Sequence, residues 1–342
     1  MDKILYFGYV VLTSFKHRKK LLDFSRYYHT KYHKSVLFFL RESYSYYIKY
    51  SMHPLDYFYF DVYSNPSFDP QKYASTLFMY RYHKRLNDPK YTQYFFNKML
   101  FHEKFRFLMG HDFINLSRVK ETELRNWIIS KDPDALMAKK MKSVGGFGVK
   151  KIYVGIQADQ VYLNKRPLEK SFTYLRKFDM LEEFVVQHDL LNKLNPGCLN
   201  TVRVVTVLDN EQKAQLIGAV IRLGVNSDVD NFHSGGIAVN VNLETGKLEG
   251  NGFKLAPEDP NCFTEHPVTH VVFDGYQLPF WSKLLDTVQK ACFVIPQVRT
   301  VGWDVAIRQN GISLIEGNHD WDKIIIEKAL KRGIRKDLEK YL

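Results

Sequence analysis

Gly302-Trp303-Asp304-Val305-Ala306-Ile307, then Asn310-Gly311, then Leu314-Ile315-Glu316-Gly317-Asn318 is the stretch whose reading decides the fold. Two apolar runs of strand length flank an Asn-Gly pair, a strong short-range hairpin signal. Two acids and an amide lie at the open end of that hairpin, so register decides whether they act together. A two-residue Asn310-Gly311 turn would oppose Asp304 to Gly317 and send Glu316 to the other face. A three-residue Gln309-Asn310-Gly311 loop, with Gly311 left-handed, pairs Asp304 with Glu316 and brings Asn318 to their face. We expect the three-residue loop. Opposed carboxylates repel, and a Mg²⁺ ion held between them and a phosphate chain would offset that repulsion. The competing reading is an exposed hairpin with scattered acids, which the apolar neighbours of both acids disfavour.

Upstream, Lys139-Lys140-Met141-Lys142-Ser143-Val144-Gly145-Gly146-Phe147-Gly148 takes a strand ending in lysine into a loop with three glycines. Glycine lets backbone N–H groups approach an anion closely, and lysine adds a point charge for it. Neither a Walker A sequence nor a GxGxxG opening a helix is present. A plain glycine turn beside solvated lysines competes with this reading. Arg203 and Arg222 lie within apolar strand sequence, at Val202-Arg203-Val204 and Ile221-Arg222-Leu223. A guanidinium there is costly unless it meets an anion, either a phosphate, a substrate carboxylate or a structural acid.

The surrounding chain mixes both periodicities. Residues 1–90 read as helices broken at His53-Pro54, Asn65-Pro66, Asp69-Pro70 and Asp88-Pro89. Residues 91–109 read as one helix. Strands are expected at 135–141, 152–156 and 180–186, with a short helix at 168–177. Hairpins are expected at 202–223 and 237–252, an amphipathic helix at 280–294 and a charged helix at 321–342. Hairpins mixed with helices indicate an α+β or mixed α/β architecture.

Composition narrows the class. At 342 residues, 45% hydrophobic and 25% charged, the chain can bury a sizeable core. Cys198, Cys262 and Cys292 form no CxxC pair, so neither a disulfide framework nor a zinc site is indicated, and a cytoplasmic location is expected. Residues 1–100 hold 16 Lys/Arg against 7 Asp/Glu, and 17 of the 22 tyrosines, so most of the net +12 sits there. Such a region suits either an anionic surface or a helical subdomain with a solvated basic face and an aromatic core. The apolar run at 4–15, before Lys16-His17-Arg18-Lys19-Lys20, is shorter than the roughly 20 residues that span a bilayer. No A-x-A-like cleavage site follows it, so a buried or interfacial segment is expected.

The ordered set resembles the ATP-grasp superfamily: the lysine and glycine loop, Glu182-Glu183-Phe184-Val185, and Asp304 with Glu316-Gly317-Asn318. With residues 199–205, Asn231-Phe232-His233-Ser234-Gly235-Gly236 and Gly302-Trp303-Asp304, it is similar more narrowly to the sugar-transfer-associated ATP-grasp family of capsule and exopolysaccharide synthesis. The resemblance covers about residues 90–342. It implies an ATP-grasp fold behind a basic, aromatic-rich helical region at 1–90, with a lid subdomain at about 130–183 and a central one at about 184–342.

It also implies roles. Lys98 and Lys139 match the nucleotide-binding lysines. Gly145, Gly146 and Gly148 match the lid loop over the ATP phosphates, and Glu182, Glu183, Phe184 and Val185 the adenine hinge. Asp304, Glu316 and Asn318 match the Mg²⁺ ligands. Arg203 and Arg222 are the candidates for phosphate or acceptor binding. Position 302 departs from the pattern, being glycine where some ATP-grasp ligases carry arginine. Lys140 stands where a proline is common. No ribose-binding carboxylate is obvious, and Asn200 or Gln187 is expected to stand in. The implied activity is carboxylate–amine ligation through an acylphosphate, on a small-molecule or glycan acceptor with an amine donor. A sugar kinase or a nucleotide-binding module are the alternatives. From composition alone, and not from the resemblance, the basic aromatic region is expected to contact an anionic membrane peripherally, with nucleic acid a minor option.

Overall fold

The computed structural model describes residues 8, 15–141, 148–225, 232, 235–257 and 262–342. Most of the 4–15 run therefore lies outside the described residues. The helices are α1 (Arg18–Tyr32), α2 (Val36–Tyr50), α3 (Pro54–Tyr59), α4 (Thr76–Leu86), α5 (Gln93–Phe96), α6 (Lys98–Met109), α7 (Glu121–Lys131), α8 (Leu168–Leu175), α9 (Asp189–Leu194), α10 (Trp281–Cys292), α11 (Lys323–Leu330) and α12 (Arg335–Glu339). The strands are β1 (Phe113–Asn115), β2 (Ala135–Lys139), β3 (Val149–Gln157), β4 (Gln160–Leu163), β5 (Arg166–Pro167), β6 (Met180–Glu183), β7 (Thr201–Leu208), β8 (Ala214–Leu223), β9 (Ile237–Val241), β10 (Leu248–Phe253), β11 (Thr300–Arg308) and β12 (Gly311–Asn318).

Two six-stranded antiparallel sheets organise the chain, ordered β1-β6-β2-β3-β4-β5 and β10-β9-β8-β7-β11-β12. The second is buried on both faces. One face carries Val202, Val204, Trp303 and Val305 against α6 and α10. The other carries Val205, Val207, Val220 and Ala238 against α11 and the amino-terminal helices. The architecture is α+β, as the mixed periodicities indicate. The amino-terminal region is helical with an aromatic core in which Tyr28 and Phe39 pack edge to face at 5.3 Å. Asp56 of α3 accepts a hydrogen bond from Lys323 Nζ at 2.8 Å, a buried ion pair that ties this core to α11. Among the described residues no helix is long and apolar enough to cross a membrane.

Three local expectations change. The deciding hairpin pairs Asp304 with Glu316 as expected, but by another route. Its turn has two residues, Gln309-Asn310, since Arg308 pairs with Gly311. The register then slips between the pairs Val305–Leu314 and Asp304–Glu316, leaving Ile315 as a bulge that restores the alignment. Gly311 does take a positive φ, +144°. Residues 91–109 are two helices, because Asn97 leaves helical geometry and accepts the N–H groups of Met99 and Leu100 as the cap of α6. Residues 321–342 are also two: α11 ends at Lys331 in the left-handed region, and Arg335 donates its N–H to the Lys72 carbonyl.

Candidate active site

The larger sheet sets a row of charge across three adjacent strands. Arg203 on β7 stands opposite Asp304 on β11, and Asp304 opposite Glu316 on β12. Direct opposition puts the three side chains on one face. Arg222 on β8 is opposite Thr201, two residues from Arg203, and so shares that face. Both guanidinium groups converge on one carboxylate. Arg203 grips Asp304 through Nε and, at 2.8 Å, Nη2, while Arg222 Nη2 lies 2.9 Å from Asp304 Oδ2. Arg222 Nε also donates to Thr201 Oγ1 at 3.2 Å. Burial would raise the Asp304 carboxyl, but the two arginines overcome it and hold it well below the usual carboxylate range.

Glu316 responds the other way. Burial and the neighbouring Asp304 charge raise its pKa, and the arginines offset this only in part. Asn318 joins them by donating Nδ2 to Glu316 Oε1 at 3.3 Å. Gly302 completes the row by having no side chain: a Cβ there would meet Trp321 Cβ at 2.9 Å and Arg203 Cδ at 3.2 Å. Arg203 thus crosses over position 302 and occupies the space a residue there would need. A small cavity of about 60 Å³ lies beside the row, lined by Arg203, Arg222, Phe232, Asp322, Ile324 and Ile325.

The second cluster is on the smaller sheet. Met137 pairs with Glu182 and Lys139 with Met180, so Lys139 and Glu182 lie two residues apart on one face. Their side chains form a salt bridge. Two histidines absent from the sequence reading complete it. His102 Nε2 is 2.9 Å and His111 Nε2 3.7 Å from the same Glu182 carboxylate, and all three residues are buried. Burial alone would raise Glu182; Lys139 and the histidines hold it well below the usual range. Burial lowers the His102 pKa, which Glu182 counteracts.

The three side chains have the spacing of a metal site. His102 Nε2 and Glu182 Oε2 already bond each other. His102 Nδ1 bonds the Lys98 carbonyl at 2.7 Å, His111 Nδ1 lies 2.7 Å from Ser313 Oγ, and Lys139 supplies the positive charge on Glu182. Sequence offered one signal for His102: it sits four residues after Lys98, on the same helical face.

Lys98, at the first position of α6, joins the two clusters. Burial and then the Lys139 charge lower its pKa, whereas Glu316 and Glu182 oppose that. One ammonium therefore feels acids from both sheets. The segment 182–185 is held by bonds to its neighbours: Phe184 N–H donates to the Ala135 carbonyl at 3.3 Å, Glu183 accepts the Asp112 N–H at 2.6 Å, and Val185 is buried. Lys151 Nζ lies 4.0 Å over the Phe184 ring. Gly148 has φ +74°, and its carbonyl accepts the Lys140 N–H at 3.1 Å, closing the base of the glycine loop. Gly145 and Gly146 lie outside the described residues, as do Asn231, His233 and Ser234.

One expectation is overturned. Gln187 and Asn200 do not offer themselves to a ribose. Asn200 Nδ2 donates to Gln187 Oε1 at 2.9 Å, Gln187 Nε2 to the Asn195 carbonyl at 2.8 Å, and Asn195 Nδ2 to Asn200 Oδ1 at 2.8 Å. All three are buried, so this closed amide network staples residues 187–200 together.

Residues 77–341 match the family described as sugar-transfer associated ATP-grasp. The chain belongs to that family. ATP-grasp is therefore its fold, and the two antiparallel sheets flanking the lysine and carboxylate clusters are how this chain builds it. Similar solved structures include the ADP complex of N5-carboxyaminoimidazole ribonucleotide synthetase, at 9% identity and TM-score 0.39, covering 68% of this chain and 46% of that one. D-alanyl-alanine synthetase A from Vibrio cholerae is 13% identical, with TM-score 0.42 and coverage of 74% and 66%. D-alanine-D-alanine ligase from Helicobacter pylori is 11% identical, with TM-score 0.39 and coverage of 74% and 63%. The chain thus spans less than half of the first of these and about two-thirds of the others. No curated protein matches the sequence.

Proposed function

We propose that this ATP-grasp chain is an ATP-dependent carboxylate–amine ligase, activating an acid on a sugar or polysaccharide precursor. The observation that carries the reading is the helix that begins at Lys98: it packs on β12, which bears Glu316, and through His102 it bonds Glu182, beside Lys139. Two mutually repelling ammonium groups beside a raised carboxyl are relieved together by a polyanion that brings its own cation, which is the charge pattern of Mg-ATP.

In this reading Lys98 and Lys139 hold phosphate oxygens, and the segment Glu182-Glu183-Phe184-Val185 receives the adenine. Gly145, Gly146 and Gly148 belong to the loop that covers the phosphates. The residues fit a Mg²⁺ ion by their chemistry: Asp304, Glu316 and Asn318 offer only hard oxygen donors, and the raised Glu316 beside Asp304 is a carboxylate pair in want of a cation. When bound there, the ion would neutralise phosphate charge. A cation there would favour the charged form of Glu316 and oppose the burial that raises it. Arg203 and Arg222, already desolvated and fixed on Asp304, bring two positive charges held in place toward the acceptor acid or the transferred phosphoryl group, so little reorganisation is needed. A donor so placed is worth roughly 3–4 kcal/mol of transition-state stabilisation. The family description supports a sugar-linked acceptor.

The reaction class is tested by trapping. With the correct acid, ATP and Mg²⁺, the acceptor carboxylate attacks the γ-phosphorus and ADP leaves. Added hydroxylamine then displaces phosphate from the acylphosphate. A hydroxamate with equal ADP and free phosphate is expected. A stable phosphosugar without free phosphate would instead make the protein a kinase on the same scaffold.

A further inference from the structure

Helix α2 uses two of its faces for apolar side chains. One stripe, Phe39, Ser43 and Tyr47, is buried against the aromatic core. The other, Leu37, Arg41, Tyr44 and Ile48, recurs at intervals of four, three and four residues and points to solvent. Leu37 is 75% exposed and Ile48 78% exposed, and Tyr44 is exposed between them. Branched aliphatic side chains left this open, in line on one helix and rimmed by charge, mark a contact surface rather than a core.

The rim has one sign. Lys34, Arg41 and Lys49 are exposed along or beside the stripe, and the adjoining α1 exposes Arg18, Lys19, Arg26 and Lys31. Over residues 15–50 the sequence carries nine Lys/Arg against Asp23 and Glu42. Just ahead of α1, Phe15 is 68% exposed with the Arg18 guanidinium 4.4 Å from its ring centre.

We infer that the outer face of α2, with α1 beside it, docks on an anionic lipid surface. The helix would lie in the plane of the interface, with Leu37, Tyr44 and Ile48 entering the headgroup boundary. The basic side chains would snorkel to lipid phosphates. Charge argues against a second copy of the chain. Self-pairing of the stripe would bring Arg41 and its basic rim against the same cations. Shape argues against a peptide, because the stripe is a convex ridge and neither described cavity lies on it. A fluid anionic surface needs no groove. The inference is independent of the ligase reading; it would place whatever reaction the site performs beside a membrane-bound acceptor.

The test is co-sedimentation of the full chain with vesicles of phosphatidylcholine alone and vesicles that also carry phosphatidylserine. Binding to the second and not the first is expected, with release at high salt as exposed charge is screened over about 8 Å near physiological ionic strength. Leu37→Glu with Ile48→Glu should lower the bound fraction at least about tenfold, with nucleotide binding and thermal unfolding unchanged as proof of folding. Arg41→Glu should weaken binding and reduce its salt dependence. Equal binding by the double variant, absence of binding to anionic vesicles at low salt, or self-association removed by the double variant without lipid binding would each overturn the proposal.

Discussion

On the smaller sheet a single buried carboxylate, Glu182, serves one ammonium, Lys139, and two imidazoles, His102 and His111. On the larger sheet two arginines converge on Asp304, while Glu316 beside it keeps a raised pKa. The two clusters thus differ in their balance of charge. The first gathers lysine around one acid, and the second sets Glu316 beside Asp304, on which both arginines converge. The difference shows how antiparallel pairing alone can set unlike charge environments on two sheets, joined here by α6, which packs on β12 and bonds Glu182 through His102.

The largest expected effect comes from breaking the better-satisfied side. Asp304→Asn strands Arg203 and Arg222 without their acid, and stability should fall by about 3–5 kcal/mol in urea unfolding. Glu316→Gln should leave stability near that of the wild type, because a group with a raised pKa loses little on becoming neutral, yet it should abolish Mg²⁺-dependent turnover. Equal destabilisation by both would dissolve the contrast between the two carboxylates.

On the smaller sheet Glu182→Gln should cost about 3 kcal/mol of stability and weaken ATP binding as well, since Lys139 loses its anchor. Lys139→Ala strands the buried Glu182 carboxylate and should lower stability on a similar scale, and it should also cost ATP affinity, roughly 10–100-fold for one charged hydrogen bond, read by calorimetry. If Lys139→Ala binds ATP like the wild type while Glu182→Gln does not, the lysine is structural and the acid carries the site.

The smallest effect is a pH slope, and it concerns a carboxyl outside both clusters. Glu327 accepts N–H groups from Ala74 and Ile334 through Oε1, while its buried Oε2 has no hydrogen-bond partner. Burial pushes its pKa from 4.5 up to about 8. Between those values the folded state holds a proton that the unfolded state has lost, so stability is fully present below 4.5 and declines as pH rises toward 8. Glu327→Gln keeps the acceptor oxygen and should flatten this slope, by at most about 1.4 kcal/mol per pH unit. Parallel stability profiles for the two proteins would remove the assignment.

How much of this could be read from the sequence varied with the distance over which the physics acts. The Asp304–Glu316 pairing was legible because Asn310-Gly311 marks a turn and strand alternation restricts the registers. The turn itself was misassigned because a bulge at Ile315 shifts alignment by one residue, and bulges follow sheet twist rather than composition. The break at Asn97 was missed because the apolar spacing around it favoured one long helix. His111 carried no local signal, since its partners Glu182 and Ser313 are 71 and 202 residues away, the second separation being that of a single hydrogen bond. Gln187 and Asn200 were read as open polar groups because a sequence does not reveal that three amides will satisfy one another.

Equilibrium binding of ATP to the full chain, titrated with and without Mg²⁺, tests the central claim most directly. The contrast between the two clusters predicts saturable binding that tightens with Mg²⁺, with the Mg²⁺ gain lost in Glu316→Gln and the nucleotide affinity lost in Lys139→Ala. Absence of ATP binding by the folded wild type, or binding indifferent to Mg²⁺, would contradict it.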